Sequence, residues 1–155
     1  MQPVQHSSQT DQVALNAVRL ATEEDIPAIQ RLINANLDKL LPRTDDEIRE
    51  LLPTWWVAVE GDEIVGTCCL EIYSRKIAEL RSLVVSEKAR GKGYGAALVK
   101  VATQTAEALN IRQVLVVTST PEFFEALGFG TALDEKYALF WHGSGSVKAR
   151  ADSNG

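Results

Sequence analysis

This sequence has no window approaching 18 consecutive apolar residues, almost no cysteine and no excess of positive charge. The first absence excludes an apolar membrane-spanning helix. Lysine and arginine total 16 against 21 aspartates and glutamates, a balance that argues against a nucleic-acid or anionic-membrane partner, because those surfaces demand basic excess. The only cysteines, Cys68 and Cys69, are neighbours, so on a strand they point to opposite faces and suit neither a disulfide framework nor a metal site. His6 and His142 sit near the ends without a second ligand at metal spacing, and no metal is expected. The N-terminus has neither a basic nor an apolar leader region, which points to a cytoplasmic protein.

What is present is a chain of 155 residues, 45% hydrophobic, enough for one core and too short for a second domain of ordinary size. Residues 1–17 are polar without clear periodicity, and residues 143–155 are rich in Gly, Ser and Ala; both read as mobile tails around a single domain at 18–142. Within it, residues 18–21 form a short strand. Thr22-Glu23-Glu24-Asp25 then opens a helix whose apolar stripe is Ile26, Ile29, Ile33 and Leu37. A second box, Thr44-Asp45-Asp46-Glu47, opens a shorter helix that Pro53 stops. Gly61-Asp62 joins two strands, at residues 55–60 and 63–73, in a hairpin. A strand at 79–85, a helix from Ala96 to about Asn110, a strand at 112–117, a short helix at 121–127 and a last strand at 137–141 follow. The order β-α-α-β-β-β-α-β-α-β is an α/β fold with a mixed sheet of α+β character.

The segment Arg90-Gly91-Lys92-Gly93-Tyr94-Gly95 lies between the 79–85 strand and the helix after it. Glycines so spaced let a backbone turn tightly and present several N–H groups to one anion, while the following helix directs its positive end at the same point. A pyrophosphate suits such a cradle. The spacing is wrong for a Rossmann fingerprint and the P-loop pattern is absent. Lys88, Arg90 and Lys92, with Lys100 further along the helix, supply local cations in an otherwise acidic chain.

Arg-x-x-Gly-x-Gly at Arg90, Gly93 and Gly95, with Phe123-Phe124-Glu125-Ala126-Leu127-Gly128-Phe129 about 30 residues later, resembles the GNAT acyltransferase superfamily. Glu79-Leu80-Arg81-Ser82-Leu83-Val84-Val85, Val116-Val117-Thr118 before Glu122, and Leu41-Pro42-Arg43-Thr44 before Trp56-Val57-Ala58 are most similar to the short bacterial N-acetylglutamate synthases. The resemblance covers about residues 18–142. It implies a sheet whose central parallel strands splay apart, and acetyl-CoA as co-substrate in the opening. It further implies an acyltransferase acetylating the α-amine of glutamate, for arginine biosynthesis, with a homodimer left open.

Carried onto this sequence, the resemblance makes Glu79 the carboxylate that takes the ammonium proton, against a plain strand-end charge. It makes the backbone N–H of Val84 or Val85 the group holding the thioester carbonyl. Leu83, Val84, Val85, Arg90, Gly91, Lys92, Gly93, Tyr94, Gly95, Ala96 and Phe124 become the CoA-binding set. Many members carry a tyrosine where this chain has Phe124, and a phenyl ring donates no proton; Thr118, Ser119 or water would substitute, with Tyr94 and Tyr137 further off. Two substrate carboxylates call for arginines, and Arg81, at even spacing from Glu79, and Arg43 are the candidates, ahead of Lys39 and Arg75. A cationic acceptor such as a polyamine, a drug or a protein N-terminus would instead need carboxylates, for which Glu71 and Asp45-Asp46-Glu47 are sources. A non-catalytic acyl-CoA-binding module remains the reading from another class.

Overall fold

The computed structural model describes residues 8–131 and 136–143, so His6 and nearly all of the expected C-terminal tail lie outside the described residues. Its contacts divide the chain into two units, residues 1–119 and 120–155, and the span 18–142 expected as one domain crosses that division.

The first unit is built on a five-stranded sheet in simple sequence order: β1 (Val18–Leu20), β2 (Trp55–Glu60), β3 (Glu63–Ile72), β4 (Ile77–Val85) and β5 (Gln113–Leu115). The first three pairings are antiparallel and the β4–β5 pairing is parallel. Helix α1 is Gln9–Asn16, α2 is Ile26–Asn34, α3 is Asp45–Leu51 and α4 is Tyr94–Ala108. On one face of the sheet Ile26, Ile29 and Ile33 of α2 and Ile48 of α3 pack with Trp55, Val57 and Cys69. On the other face Leu98 of α4 closes on Ala58 and Gly66, where a Cβ on Gly66 would stand 3.1 Å from Leu98 Cδ1. Both faces of β3 are therefore covered, which is why its run from Val65 to Leu70 is uniformly buried rather than alternating.

The adjacent cysteines follow from that layering. Cys69 joins the α2 side, while the Cys68 thiol donates to the Leu98 carbonyl at 3.7 Å on the α4 side. Burial pushes the Cys69 thiol up to about 11 and Cys68 well above its ordinary value, leaving both protonated and inert.

Local signals account for most boundaries. Thr44 and Glu47 close the capping box of α3, with the Thr44 hydroxyl accepting the Glu47 N–H at 3.1 Å. Gly61, at φ +63, turns the β2–β3 hairpin. The stripe on α2 ends early: the Asn36 amide donates to the Leu32 carbonyl at 2.8 Å, the helix stops at Asn34, and Leu37 is half exposed. The tail expected over residues 1–17 gives way at Gln9 to α1, whose start is capped reciprocally by Ser8 and Asp11. Helix α4 begins at Tyr94 rather than Ala96, and of its expected stripe Ala108 and Leu109 are exposed.

In the second unit α5 (Pro121–Glu125) is followed by Gly128 at φ +95, and the Phe129 N–H returns to the Phe124 carbonyl at 3.0 Å. The last strand expected at residues 137–141 is not formed. A strand exists through its ladder; among the described residues the sheet has no member after β5, and Tyr137, Leu139 and Trp141 are almost fully exposed.

Asp25 ties β1 to the entry of α2. Its buried carboxylate accepts from Arg19 at 2.7 and 3.0 Å and from the Thr22 N–H at 2.7 Å, and the Arg19 guanidinium holds it below the usual carboxylate range. Arg19 remains half in solvent, so the ion pair itself is screened and the buried hydrogen bonds carry most of the effect. Asp25→Ala is expected to cost about 1–2 kcal/mol in urea unfolding at pH 7. A depressed carboxyl contributes stability above its unfolded value and loses it as pH falls, so the gap between wild type and variant should close as the pH is taken below about 4.

Candidate active site

The parallel ladder between β4 and β5 runs only from Ile77 opposite Gln113 to Glu79 opposite Leu115. Beyond that point β4 continues to Val85 against β3 alone, while residues 116–118 leave the sheet. The sheet thus forks, and Glu79 stands at the last rung. Thr118 and Ser119 follow on the other arm, exposed.

Along the open arm, backbone polarity is set by alternation. The Ser86 N–H donates to the Val65 carbonyl of β3 at 2.7 Å, so the Val85 N–H and carbonyl face the fork, and the Arg90 guanidinium donates to that carbonyl at 3.3 Å. Val84 has the opposite sense, its carbonyl lying 3.4 Å from where a Cβ on Gly66 of β3 would stand. Of the two N–H groups expected to meet a thioester, Val84 is turned into the ladder and Val85 into the opening. The alternation breaks at a β-bulge in which Cys68 faces both Ser82 and Leu83, where Ser82 adopts φ +56.

The glycine loop follows. Gly91 and Gly93 have φ of +79 and +88, and Gly93 is the residue from which α4 starts. The first-turn N–H groups of Tyr94, Gly95 and Ala96 have no partner within the helix, and nothing would lie within 4 Å of a Cβ on Gly91. These features suit a diphosphate. The loop is tied to the hairpin by Glu60, which accepts from Tyr94 Oη at 2.8 Å and from Lys92 Nζ at 3.1 Å. Tyr94 is thereby an anchor, and its hydroxyl, bound to Glu60, raises it above the ordinary phenol value. Lys88 pairs with Glu63, so two of the three expected cations already have carboxylates and Arg90 does not, among the described residues.

A second group of charges gathers on the α2–α3 face of β3 and β4. Glu71 lies directly opposite Glu79, and Cys69 directly opposite Arg81. Arg81 donates to Glu71 at 2.8 Å and holds its carboxyl below the usual range. Tyr73 Oη stands 2.6 Å from Glu79 and 3.1 Å from Glu71. Arg43 reaches the same face from the loop before α3: its Nε donates to Ser82 Oγ at 2.8 Å, its guanidinium lies 5.3 Å from the Trp55 ring centroid, and its Nη2 is 3.7 Å from Cys69 Sγ. All three contacts are neutral, and among the described residues no carboxylate forms an ion pair with Arg43. The other carboxylates weighed for a cationic acceptor are occupied: Asp46 pairs with Arg49, Glu47 caps α3, and Asp45 accepts from Gln30 at 3.0 Å.

The structure thus brings Glu79, Arg81 and Arg43 to one face and the Arg90–Ala96 stretch to the end of the open strand. Tyr73, Ser82 and Trp55 are site residues that sequence reasoning missed; only the even spacing of Glu71 and Tyr73 along the β3 run signalled that Tyr73 shares that face. Phe124, in the second unit, is buried edge-on between Phe123 and Phe129, with centroids 4.9 and 5.4 Å away. Tyr137 is almost fully exposed, and among the described residues no three His, Cys, Asp or Glu gather as a metal site.

The family described as Acetyltransferase (GNAT) family matches residues 21–129. An uncharacterised N-acetyltransferase of Chlorobaculum tepidum is 32% identical over 72% of this chain and 74% of its own length. The amino-acid acetyltransferase of Mycobacterium tuberculosis is 33% identical over 72% of this chain and 67% of its own. Among solved structures, a Mycobacterium tuberculosis protein in complex with CoA superposes with TM-score 0.71 at 31% identity, covering 75% of this chain and 72% of that one. The N-acetylglutamate synthase of Neisseria gonorrhoeae, complexed with coenzyme A and N-acetyl-glutamate, gives TM-score 0.68 at 26% identity over 89% of this chain. This chain spans only 32% of that larger protein.

Gly93→Ala tests the loop. A Cβ there would meet Ala14 Cβ at 3.5 Å, an ordinary contact, so the cost is conformational and should be about 1–2 kcal/mol in thermal or urea unfolding. CoA affinity, measured by calorimetry, should fall with it.

Proposed function

This chain belongs to the acetyltransferase (GNAT) family, and on that premise we propose that it transfers the acetyl group of acetyl-CoA to the α-amine of L-glutamate, the entry reaction of arginine biosynthesis. Arg43 carries this reading: a guanidinium pinned by three neutral contacts, on the same face as Glu79 and Arg81, with no ion-paired carboxylate of its own among the described residues. A carboxylate-bearing acceptor supplies the missing partner, and the planar fork of arginine suits that recognition.

In this reading the diphosphate of acetyl-CoA sits on the first turn of α4 beside Arg90, and the thioester enters the fork. The Val85 N–H, turned away from β3, would meet the developing oxyanion. Glu79 takes the proton of the acceptor ammonium, the freed amine attacks the thioester carbonyl, and the C–S bond breaks as the thiolate leaves and takes up the second proton shed by the nitrogen, giving the amide and CoA thiol. Arg81, already matched by Glu71, retains guanidinium donors for a second carboxylate. The engagement of Asp45, Asp46 and Glu47 weighs against a cationic acceptor. A non-catalytic module is disfavoured because a carboxylate at the fork and a neutral-walled arginine beside it have no use in donor binding alone.

Free amino acids screened with acetyl-CoA, with thiol release as the readout, should give turnover with glutamate well above the rest; equal turnover with lysine or a polyamine would overturn the assignment. Arg43→Ala should raise the KM for glutamate by about 10- to 100-fold, the loss of one charge-assisted contact, with little change in the KM for acetyl-CoA. Arg90→Glu combined with Gly93→Asp should abolish acetyl-CoA binding, measured directly by calorimetry.

A further inference from the structure

The hydroxyl of Tyr73 lies within hydrogen-bond distance of two carboxylates, at 2.6 Å from Glu79 Oε1 and 3.1 Å from Glu71 Oε2. A phenol has one proton to donate, so it satisfies only one carboxylate at a time while both are charged. The arrangement becomes fully bonded when one carboxyl is itself protonated and donates to the phenol oxygen. Arg81 keeps Glu71 charged, at 2.8 Å, so the carboxyl that accepts the proton is Glu79.

We propose that Tyr73 is a positioning residue that follows the protonation of Glu79, donating to Glu79 while it is a carboxylate and turning its hydroxyl to Glu71 once Glu79 carries the acceptor's proton. This rests on Glu79 acting as the general base. The acceptor ammonium gives its proton to Glu79, and the nitrogen lone pair attacks the thioester. Protonated Glu79 then donates to Tyr73 Oη, and the Tyr73 O–H donates to Glu71, whose charge Arg81 balances. No proton leaves Tyr73; that of Glu79 passes to solvent after the thiolate departs, and the hydroxyl turns back. Desolvation, reinforced by the two carboxylates, holds the phenol above its ordinary value, so it stays a neutral donor throughout. The charged groups facing it are Glu71 on β3 and Glu79 and Arg81 on β4, with Arg43 acting on Glu71 from the loop before α3.

Steady-state kinetics of Tyr73→Phe and Glu79→Gln against wild type, with glutamate as acceptor at about pH 7 and about pH 9.5, test this, because the acceptor amine is increasingly free of its proton at the higher pH. Tyr73→Phe should lower kcat at least about tenfold at the lower pH, leave the KM for acetyl-CoA unchanged, and recover most of the difference at the higher pH. A wild-type kcat in Tyr73→Phe alongside a loss in Glu79→Gln would overturn the relay alone. A deficit equal at both pH values would also overturn it, since a packing defect does not depend on the proton of the acceptor. A wild-type kcat in Glu79→Gln would overturn the general-base reading together with the relay. Should Tyr73→Phe not fold, Glu71→Gln serves instead: a pH-dependent kcat deficit upholds the relay, and an unchanged kcat overturns it.

Discussion

β4 is paired along the whole of one edge and, along the other, only as far as Glu79. Everything that distinguishes this chain from an ordinary mixed sheet depends on that interrupted ladder. A central strand that loses its neighbour leaves backbone N–H and carbonyl groups facing outward, and such groups are costly unless something satisfies them. Here Arg90 bonds one of them, the Val85 carbonyl. Because the loop that ends β4 runs directly into α4, the same strand sets both the fork and the helix start beyond it. In the proposed reaction, donor recognition and carbonyl polarisation would both fall to one continuous backbone.

The opposite face carries a different compromise. Placing Glu71 straight across from Glu79 sets like charges on adjacent strands, which is ordinarily destabilising. Arg81 relieves one of them and Tyr73 is shared between both, so a repulsive pair is converted into a connected network. Arg43 is held on the same face by an aromatic ring, a thiol and a serine, and it forms no ion pair among the described residues. Ser82, the residue that receives Arg43, is in the left-handed region at the bulge of β4. Such strain persists only where the surrounding structure over-determines it, and here a substituent on α3's loop, a bulge and the fork meet at one residue.

Sequence made local devices legible. The capping boxes at Thr44 and at Thr22, the hairpin glycine at Gly61 and the loop glycines at Gly91 and Gly93 all act through neighbours a few residues away. Glu79 and Arg81 were legible as a same-face pair because strand periodicity is exact over two residues. What escaped depends on distant partners. Leu37 lost its place on α2 to a side chain, Asn36, that competes for the helix end; α1 was hidden because its few buried positions make no stripe, although Ser8 and Asp11 form a box of the same kind as that of α3. The strand expected at residues 137–141 has the right composition and, among the described residues, no ladder. Tyr73 and Ser82 acquire their roles from register and a bulge, neither of which leaves a mark on the one-dimensional pattern.

The paired thiols of Cys68 and Cys69 offer a consequence of a separate kind. They are adjacent in sequence yet sealed under different helical layers, Cys69 beneath α2 and Cys68 beneath α4. Each becomes reactive only when the layer above it lifts, so the order in which an alkylating reagent modifies them is a chronometer for the two sides of the sheet. Modification of one before the other would record a native state that opens one helical layer at a time. Simultaneous modification would record a sheet that releases both layers in one cooperative event.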